Sequence, residues 1–225
     1  DEDVLVVTVN ILDEDEIPMQ VPDSFEVPME NGKFTFSYKI PEFNGYQAEL
    51  SDGKGVTLAG GTLTGTLTEA GEIEVNLIYR ASETVYHVKH LFQTLDGEYE
   101  EKAEYPAEEI ASTVGTVTQA EAKYVEGFTP MGISQEVVQP EGTTEIEVRY
   151  NRNEYSLLFD TMGGSYIPTI TGKYETQVAL ARVEKPSRTG YTFVGWYEDE
   201  ELTQPVTSVT MDSDKRVYAK WDGAT

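Results

Sequence analysis

The feature that most constrains this chain is a threefold recurrence. Three short stretches, 73–79, 146–150 and 216–221, alternate side chains in the manner of a strand and end on Tyr79, Tyr150 and Trp221, each 71 residues from the last. Upstream of each lies a glycine followed by an aromatic: Gly45-Tyr46, Gly127-Phe128 and Gly190-Tyr191. A fixed period of signals predicts a tandem array of like units, because each repeat carries one set of elements in one order. Each unit also opens with a strand, at 4–12, 85–92 and 155–159. Turn residues follow each opening strand: 13–16, Asp96-Gly97 and 160–164. Boundaries are therefore predicted near Ser82 and Asn153, giving modules 1–81, 82–152 and 153–225. The connectors 81–83 and 151–153 are too short to act as free tethers, so neighbouring modules are expected to abut.

Within the modules the period is two rather than 3.6. In 33–40, Phe34, Phe36, Tyr38 and Ile40 fall on one face, and 61–68 alternates Thr and Leu. The best helical candidate is 118–121, Thr-Gln-Ala-Glu, a capping-box pattern before Ala122 and Tyr124 that Gly127 would cut short. The expected fold is mainly β with at most short helices. Three compact units of roughly 28 Å each would extend to about 80 to 90 Å, against a radius of gyration of about 17 Å for a single globule.

Composition decides which functions fit such units. The 225 residues carry 41 acidic and 16 basic side chains, a formal charge of −25, with 39 % hydrophobic and 11 % aromatic residues. That is enough apolar material for ordinary cores, and too anionic for nucleic acid or an anionic membrane surface, which require cations. There is no cysteine, which excludes disulfides, thiolate metal sites and cysteine nucleophiles. No long apolar run predicts membrane insertion, and Asp1-Glu2-Asp3 has none of the basic and apolar regions of a signal peptide. A strand that begins at Val4 with no preceding methionine predicts a fragment of a larger protein, and the fragment is expected to be monomeric.

Candidate sites are few. His87 and His90 are the only histidines, and their odd spacing in a strand sends them to opposite faces, so they should not share a metal. His90 shares the parity of Tyr86, Val88 and Phe92 and is read as a core-edge histidine with a hydrogen-bond partner. The acidic clusters 13–16 and Asp212-Ser213-Asp214 are calcium candidates by composition, but neither has the spacing of a calcium loop: Pro18 stands where an EF-hand beginning at Asp13 needs glycine. Both read better as solvated turns. The run 190–197, Gly-Tyr-Thr-Phe-Val-Gly-Trp-Tyr, could offer a sugar-stacking platform. Its structural reading is a bent strand in which Tyr191, Phe193 and one of Trp196 or Tyr197 pack the core. The glycine pairs 60–61 and 163–164 read as turns. No paired carboxylates, nucleophile elbow, phosphate-cradling loop or His-Glu-x-x-His motif stands out, so no catalytic, cofactor or metal residue is assigned.

The third module resembles the Listeria-Bacteroides repeat, the internalin B-type repeat of bacterial surface proteins. The resemblance rests on Phe159-Asp160, Gly163-Gly164, Tyr174, Val178, Pro186, Arg188, 190–193, Gly195-Trp196-Tyr197, Asp199, Leu202-Thr203, Pro205-Val206, Met211 and 218–221. Met162 and Glu175 depart from the usual Asn and Gly, a matter of turn shape. The second module resembles the mucin-binding-protein (MucBP-like) repeats of Gram-positive surface proteins through Tyr86, Val88, Lys89-His90, Gln93, 95–99, Gly115-Thr116, 127–129 and 146–152. The first shares only the frame and is read as a divergent relative. What these resemblances imply is a β-grasp-like fold in each module and a non-catalytic place in the extracellular stalk or adhesin of a cell-wall-attached protein. Two alternatives remain at this point: a binding module for mucin glycans or a host protein, and accessory domains of a larger secreted hydrolase.

Overall fold

The computed structural model describes residues 3–223, and the acidic opening Asp1-Glu2 lies outside the described residues. About half of the described residues lie in strands, and nearly all the rest are turns and loops. The first stretch supplies β1 (Val4–Leu12), β2 (Asp23–Pro28), β3 (Phe34–Lys39), β4 (Tyr46–Asp52), β5 (Val56–Ala59), β6 (Thr62–Leu67) and β7 (Gly71–Ala81). The middle supplies β8 (Glu83–Gln93), β9 (Tyr99–Glu100), β10 (Glu108–Thr113), β11 (Phe128–Pro130) and β12 (Glu145–Arg152). The last supplies β13 (Glu154–Asp160), β14 (Ile170–Lys173), β15 (Gln177–Ala179), β16 (Tyr191–Tyr197), β17 (Pro205–Val206), β18 (Ser208–Thr210) and β19 (Lys215–Gly223). The helical content of the described residues is two single 3-10 turns, Pro140–Gly142 and Leu180–Arg182, and no helix is long and apolar enough to cross a membrane.

One strand order recurs. The first sheet runs β2-β1-β7-β4, the middle β10-β8-β12-β11 with β9 on β8, and the last β14-β13-β19-β16-β17. In the first and last, the opening strand pairs antiparallel with the second strand and parallel with the closing strand (β1 with β7, β13 with β19). A parallel pair requires a crossover, usually a helix. Here the crossovers are themselves β: the sheet β3-β6-β5 in the first case, and the β15-β18 pair with the Leu180–Arg182 turn in the last. Small β crossovers explain how a β-grasp-like strand order forms with almost no helical sequence.

The chain divides into two compact units, one running to His87 with 109–119 and 135–145, the other comprising 88–108, 120–134 and 146 onward. In the first, β1 alternates strictly, burying Leu5, Val7, Val9 and Ile11 against Val75, Leu77 and Tyr79 of β7 and against Phe34, Phe36 and Leu63 of the crossover sheet. In the second, Leu157, Trp196, Val217 and Ala219 meet Leu180, Val209 and Met211 in the same manner. At about 25 cal/mol per Å² of apolar surface, such clusters are the main stabilising term.

The predicted helix at 118–121 does not form. Thr118 is buried, and its backbone N–H donates to the Glu136 carbonyl at 2.8 Å. Its hydroxyl donates to Gln135 Oε1 at 2.7 Å and accepts the Glu136 N–H at 2.9 Å. Tertiary pairing takes the groups that a helix cap would use, and Tyr124 is left exposed. The run 190–197 also differs from expectation. Phe193 and Trp196 pack the core, but Tyr191 is 44 % exposed. A register shift between Phe193 and Gly195 puts Phe193 and Trp196 on one face despite their odd spacing, with Val194 turned outward.

Candidate functional site

The most regular constellation in the molecule lies where each repeated strand set meets the next stretch of chain, and it begins with the glycine-aromatic pairs. Gly45, Gly127 and Gly190 have φ of +85°, +82° and +81°. Each closes the same turn: Tyr46 N–H donates to Phe43 O, Phe128 N–H to Val125 O and Tyr191 N–H to Arg188 O, at 3.0, 3.1 and 3.0 Å. In all three cases the turn leads into the strand beside the closing strand. Glycine is favoured at all three because φ near +80° costs other residues energy, and at Gly45 and Gly127 also because a side chain approaches.

The approach is the same at two of the turns. At the first, the connector residue Ser82 donates its N–H to Gly45 O (2.8 Å) and accepts from Val114 N–H (2.9 Å). The Val114 side chain is buried and sits where a Cβ on Gly45 would lie, 2.8 Å from its Cγ1. At the second, Asn153 donates to Gly127 O (2.8 Å) and accepts from Tyr174 N–H (2.8 Å). The Tyr174 ring lies 2.2 Å from the Cβ position of Gly127. Val114 directly follows β10, Tyr174 directly follows β14, and Ser82 and Asn153 directly precede β8 and β13. Each connector is thus held by a relay from glycine carbonyl to connector amide, and from connector carbonyl to the residue after the next hairpin strand, with that residue's side chain plugging the glycine. Each such hydrogen bond contributes about 0.5–1.5 kcal/mol net.

The second junction has an additional clamp. Arg152, with its side chain 9 % exposed, donates from Nε to Gln93 O and from Nη1 to Tyr174 O, both at 2.7 Å, and pairs with Glu175 at 3.2 Å. Its guanidinium lies over the Phe128 ring, and Phe128 meets Tyr174 edge-on at 5.8 Å. The five donors of a guanidinium let one side chain tie three segments together. The closing aromatics act similarly: Tyr79 Oη donates to Pro41 O (2.6 Å), and Trp221 Nε1 donates to Thr161 O (2.8 Å).

His90 is fully buried, and both ring nitrogens are occupied: Nδ1 faces Tyr150 Oη and Nε2 faces Glu108 Oε2, each at 2.8 Å. Because Tyr150 Oη accepts the Lys123 N–H (2.9 Å), its own proton is assigned to Nδ1, and Nε2–H donates to the carboxylate. The His90 contact, with Lys123 at 3.4 Å, holds the Glu108 carboxyl below its usual range, and burial raises the Tyr150 hydroxyl. The network is a closed structural set with no ring nitrogen left for a metal. His87 lies on the opposite face, as the parity predicts.

The other acidic candidates are also internally engaged. Asp13 Oδ1 accepts the N–H groups of Asp15 and Ile17 at 2.8 and 2.9 Å, a turn built on its own side chain. Asp212 pairs with Lys215 at 3.0 Å, and Asp214 accepts the Ser156 N–H at 2.8 Å. Asp199, part of the repeat signature but not singled out for chemistry, caps its turn by accepting from Thr203 N–H, the Thr203 hydroxyl and Gln204 N–H. No group of three or more potential ligands that could hold a metal occurs among the described residues. Phe193 and Trp196 help line an apolar opening of about 180 Å³, below the roughly 300–1,000 Å³ of small-molecule sites.

Known proteins resemble parts of this chain. A 76-residue stretch is 32 % identical to a putative Gly-rich membrane protein of Evansella cellulosilytica, covering 33 % of this chain and 9 % of that protein. A putative membrane protein of the same organism is 30 % identical over 76 residues, covering 33 % and 11 %. The chain thus spans about a tenth of the length of these relatives. Among solved structures, the Bacillus anthracis TIE protein aligns with 95 % of this chain and 49 % of its own at 9 % identity and a TM-score of 0.39. Residues 155–220, from β13 into β19, match the family model of the Listeria-Bacteroides repeat domain.

Proposed function

We propose that this chain is a non-catalytic stalk segment of a bacterial cell-wall-attached surface protein, spacing a binding region from the cell. The observation that carries it is the repeated junction at Gly45 and Gly127, where the connector is bonded on both sides and plugged by a side chain. A spacer works only if its joints resist bending, and these joints replace a free tether with hydrogen bonds and packing. Modules 1–81, 82–152 and 153–225 are the units in series, the second a MucBP-like repeat and the first a divergent relative. Two relatives named as membrane proteins, each far longer than this chain, fit a segment of a large exported protein. The charge of −25 keeps neighbouring stalks apart and soluble.

The test of location is antibody labelling of intact cells of the source bacterium with antibody raised against this chain. Labelling without permeabilisation, removed by surface proteolysis, is expected. Labelling that requires permeabilisation would overturn the surface assignment.

A further inference from the structure

The junction has two halves, and both occur once more without a counterpart among the described residues. The receiving half recurs at the turn Arg188 to Tyr191. Gly190 has the same φ and the same closing hydrogen bond as Gly45 and Gly127, yet among the described residues no heavy atom beyond its chain neighbours lies within 4 Å of its Cβ position. Its aromatic partner is uncovered to match. Phe128 is 6 % exposed beneath Tyr174, and Tyr46 is half-buried with its hydroxyl against Gly115, whereas Tyr191 is 44 % exposed. Arg188 stacks on the Tyr191 ring at 3.8 Å, leaving the glycine side open.

The inserting half recurs at Met29. Met29 directly follows β2, as Val114 follows β10 and Tyr174 follows β14, and its N–H donates to Asp3 O at 3.3 Å. Asp3 directly precedes β1, as Ser82 precedes β8 and Asn153 precedes β13. This is the second bond of the relay in the same place. The Met29 side chain, which by position should plug a glycine, is 39 % exposed, against 7 % for Val114.

We propose that the Arg188–Tyr191 turn is a docking socket for another unit of the same strand order joined head to tail, which would insert a Met29-like side chain over Gly190 and donate its connector amide to the Gly190 carbonyl. This rests on the series of modules proposed above. Two occupied copies in this one chain specify the occupant: an apolar or aromatic residue directly after a second strand, with a backbone N–H directly before the first. A covalent neighbour is favoured over a second molecule because two copies of a −25 chain repel.

The probe is a tandem of two copies of the chain with Gly223 joined to Asp3. This reproduces the three-residue step from closing aromatic to connector seen at Tyr79 to Ser82 and Tyr150 to Asn153. Methionine oxidation by peroxide is read by mass spectrometry, with exposed Met131 and fully buried Met211 as internal standards. Met29 of the second copy should oxidise about fivefold more slowly than Met29 of the first, in proportion to a fall from 39 % to the 7 % exposure of Val114. Gly190→Ala in the first copy, whose Cβ occupies the socket, should abolish the difference. Equal oxidation of both Met29 residues in the unmutated tandem would overturn the socket. Protection of Met29 in the single chain that grows with concentration would also overturn it, in favour of association between molecules. Amide exchange at Val114 and Tyr174 in the same sample separates the two levels: slow exchange there with equal Met29 oxidation refutes the socket alone, and fast exchange there refutes the locked series itself.

Discussion

Gly127 and Gly190 form a matched pair for measuring what a junction contributes. Their φ values differ by a degree, +82° and +81°, so replacing either with alanine incurs the same backbone cost, about 1–2 kcal/mol for a side chain in the left-handed region. They differ in what the new methyl meets: none of the described residues beyond the chain neighbours within 4 Å at Gly190, but three ring atoms of Tyr174 at 2.2–2.4 Å from Gly127. Tyr174 must then leave, losing its edge-on contacts with Phe128 and Tyr155, each worth about 0.5–1.5 kcal/mol, and weakening its backbone bond to Asn153. Gly127→Ala should therefore destabilise its surroundings by about 2–5 kcal/mol, and Gly190→Ala by about 1–2 kcal/mol. Free energies from residue-resolved amide exchange of β12 and β13 for the first variant, and of β16 and β19 for the second, keep each effect local. A cycle with Tyr174→Ala isolates the steric part: in that background Gly127→Ala should fall to the Gly190→Ala value, a coupling of at least about 1 kcal/mol. Equal costs for Gly127→Ala and Gly190→Ala, with no coupling to Tyr174, would refute the plugged-glycine account.

Arg152→Lys keeps the charge but cannot reach Gln93 O and Tyr174 O together, and should destabilise β12 to β14 by about 1–3 kcal/mol in amide exchange. The Glu108 carboxyl is lowered in the folded state, so its contribution is present above its unfolded value of about 4.3 and is lost as pH falls through the lower folded value; Glu108→Gln should flatten that acid limb in thermal melts. Burial pushes the Tyr79 hydroxyl up to about 12, so its contribution is intact below the unfolded value of about 10 and is lost as pH rises from there towards 12. Tyr79→Phe should remove that alkaline step in melts followed by circular dichroism.

Much of the β architecture was legible because alternation and turns are local signals. The alternation of 4–12 is β1 with its strict burial pattern, and the parity of His87 and His90 predicted their opposite faces. The glycine-aromatic pairs were visible as a recurrence, but their use was not. The plugs Val114 and Tyr174 lie far along the chain and differ in kind, so no sequence pattern ties them to Gly45 and Gly127. Local rules failed where tertiary pairing intervened. Gln135 and Glu136 take the groups of Thr118 that a helix cap would use, and Tyr191, of one parity with the core residue Phe193, stands at the first position of β16 opposite Gly223 and is left 44 % exposed there. The triad of buried His90 and Tyr150 with half-buried Glu108 joins three strands; the sequence marks His90 as a core-edge histidine and Tyr150 as a closing aromatic, but no local pattern ties them to each other or to Glu108.

The central claim is that the connectors are joints held by the relay rather than tethers. Backbone ¹⁵N relaxation at Ser82, Val114, Asn153 and Tyr174 tests it most directly. The relay requires order parameters like those of the flanking strands, about 0.85, at all four amides. Values below about 0.6 at Ser82 and Asn153, between rigid β7, β8, β12 and β13, would contradict it.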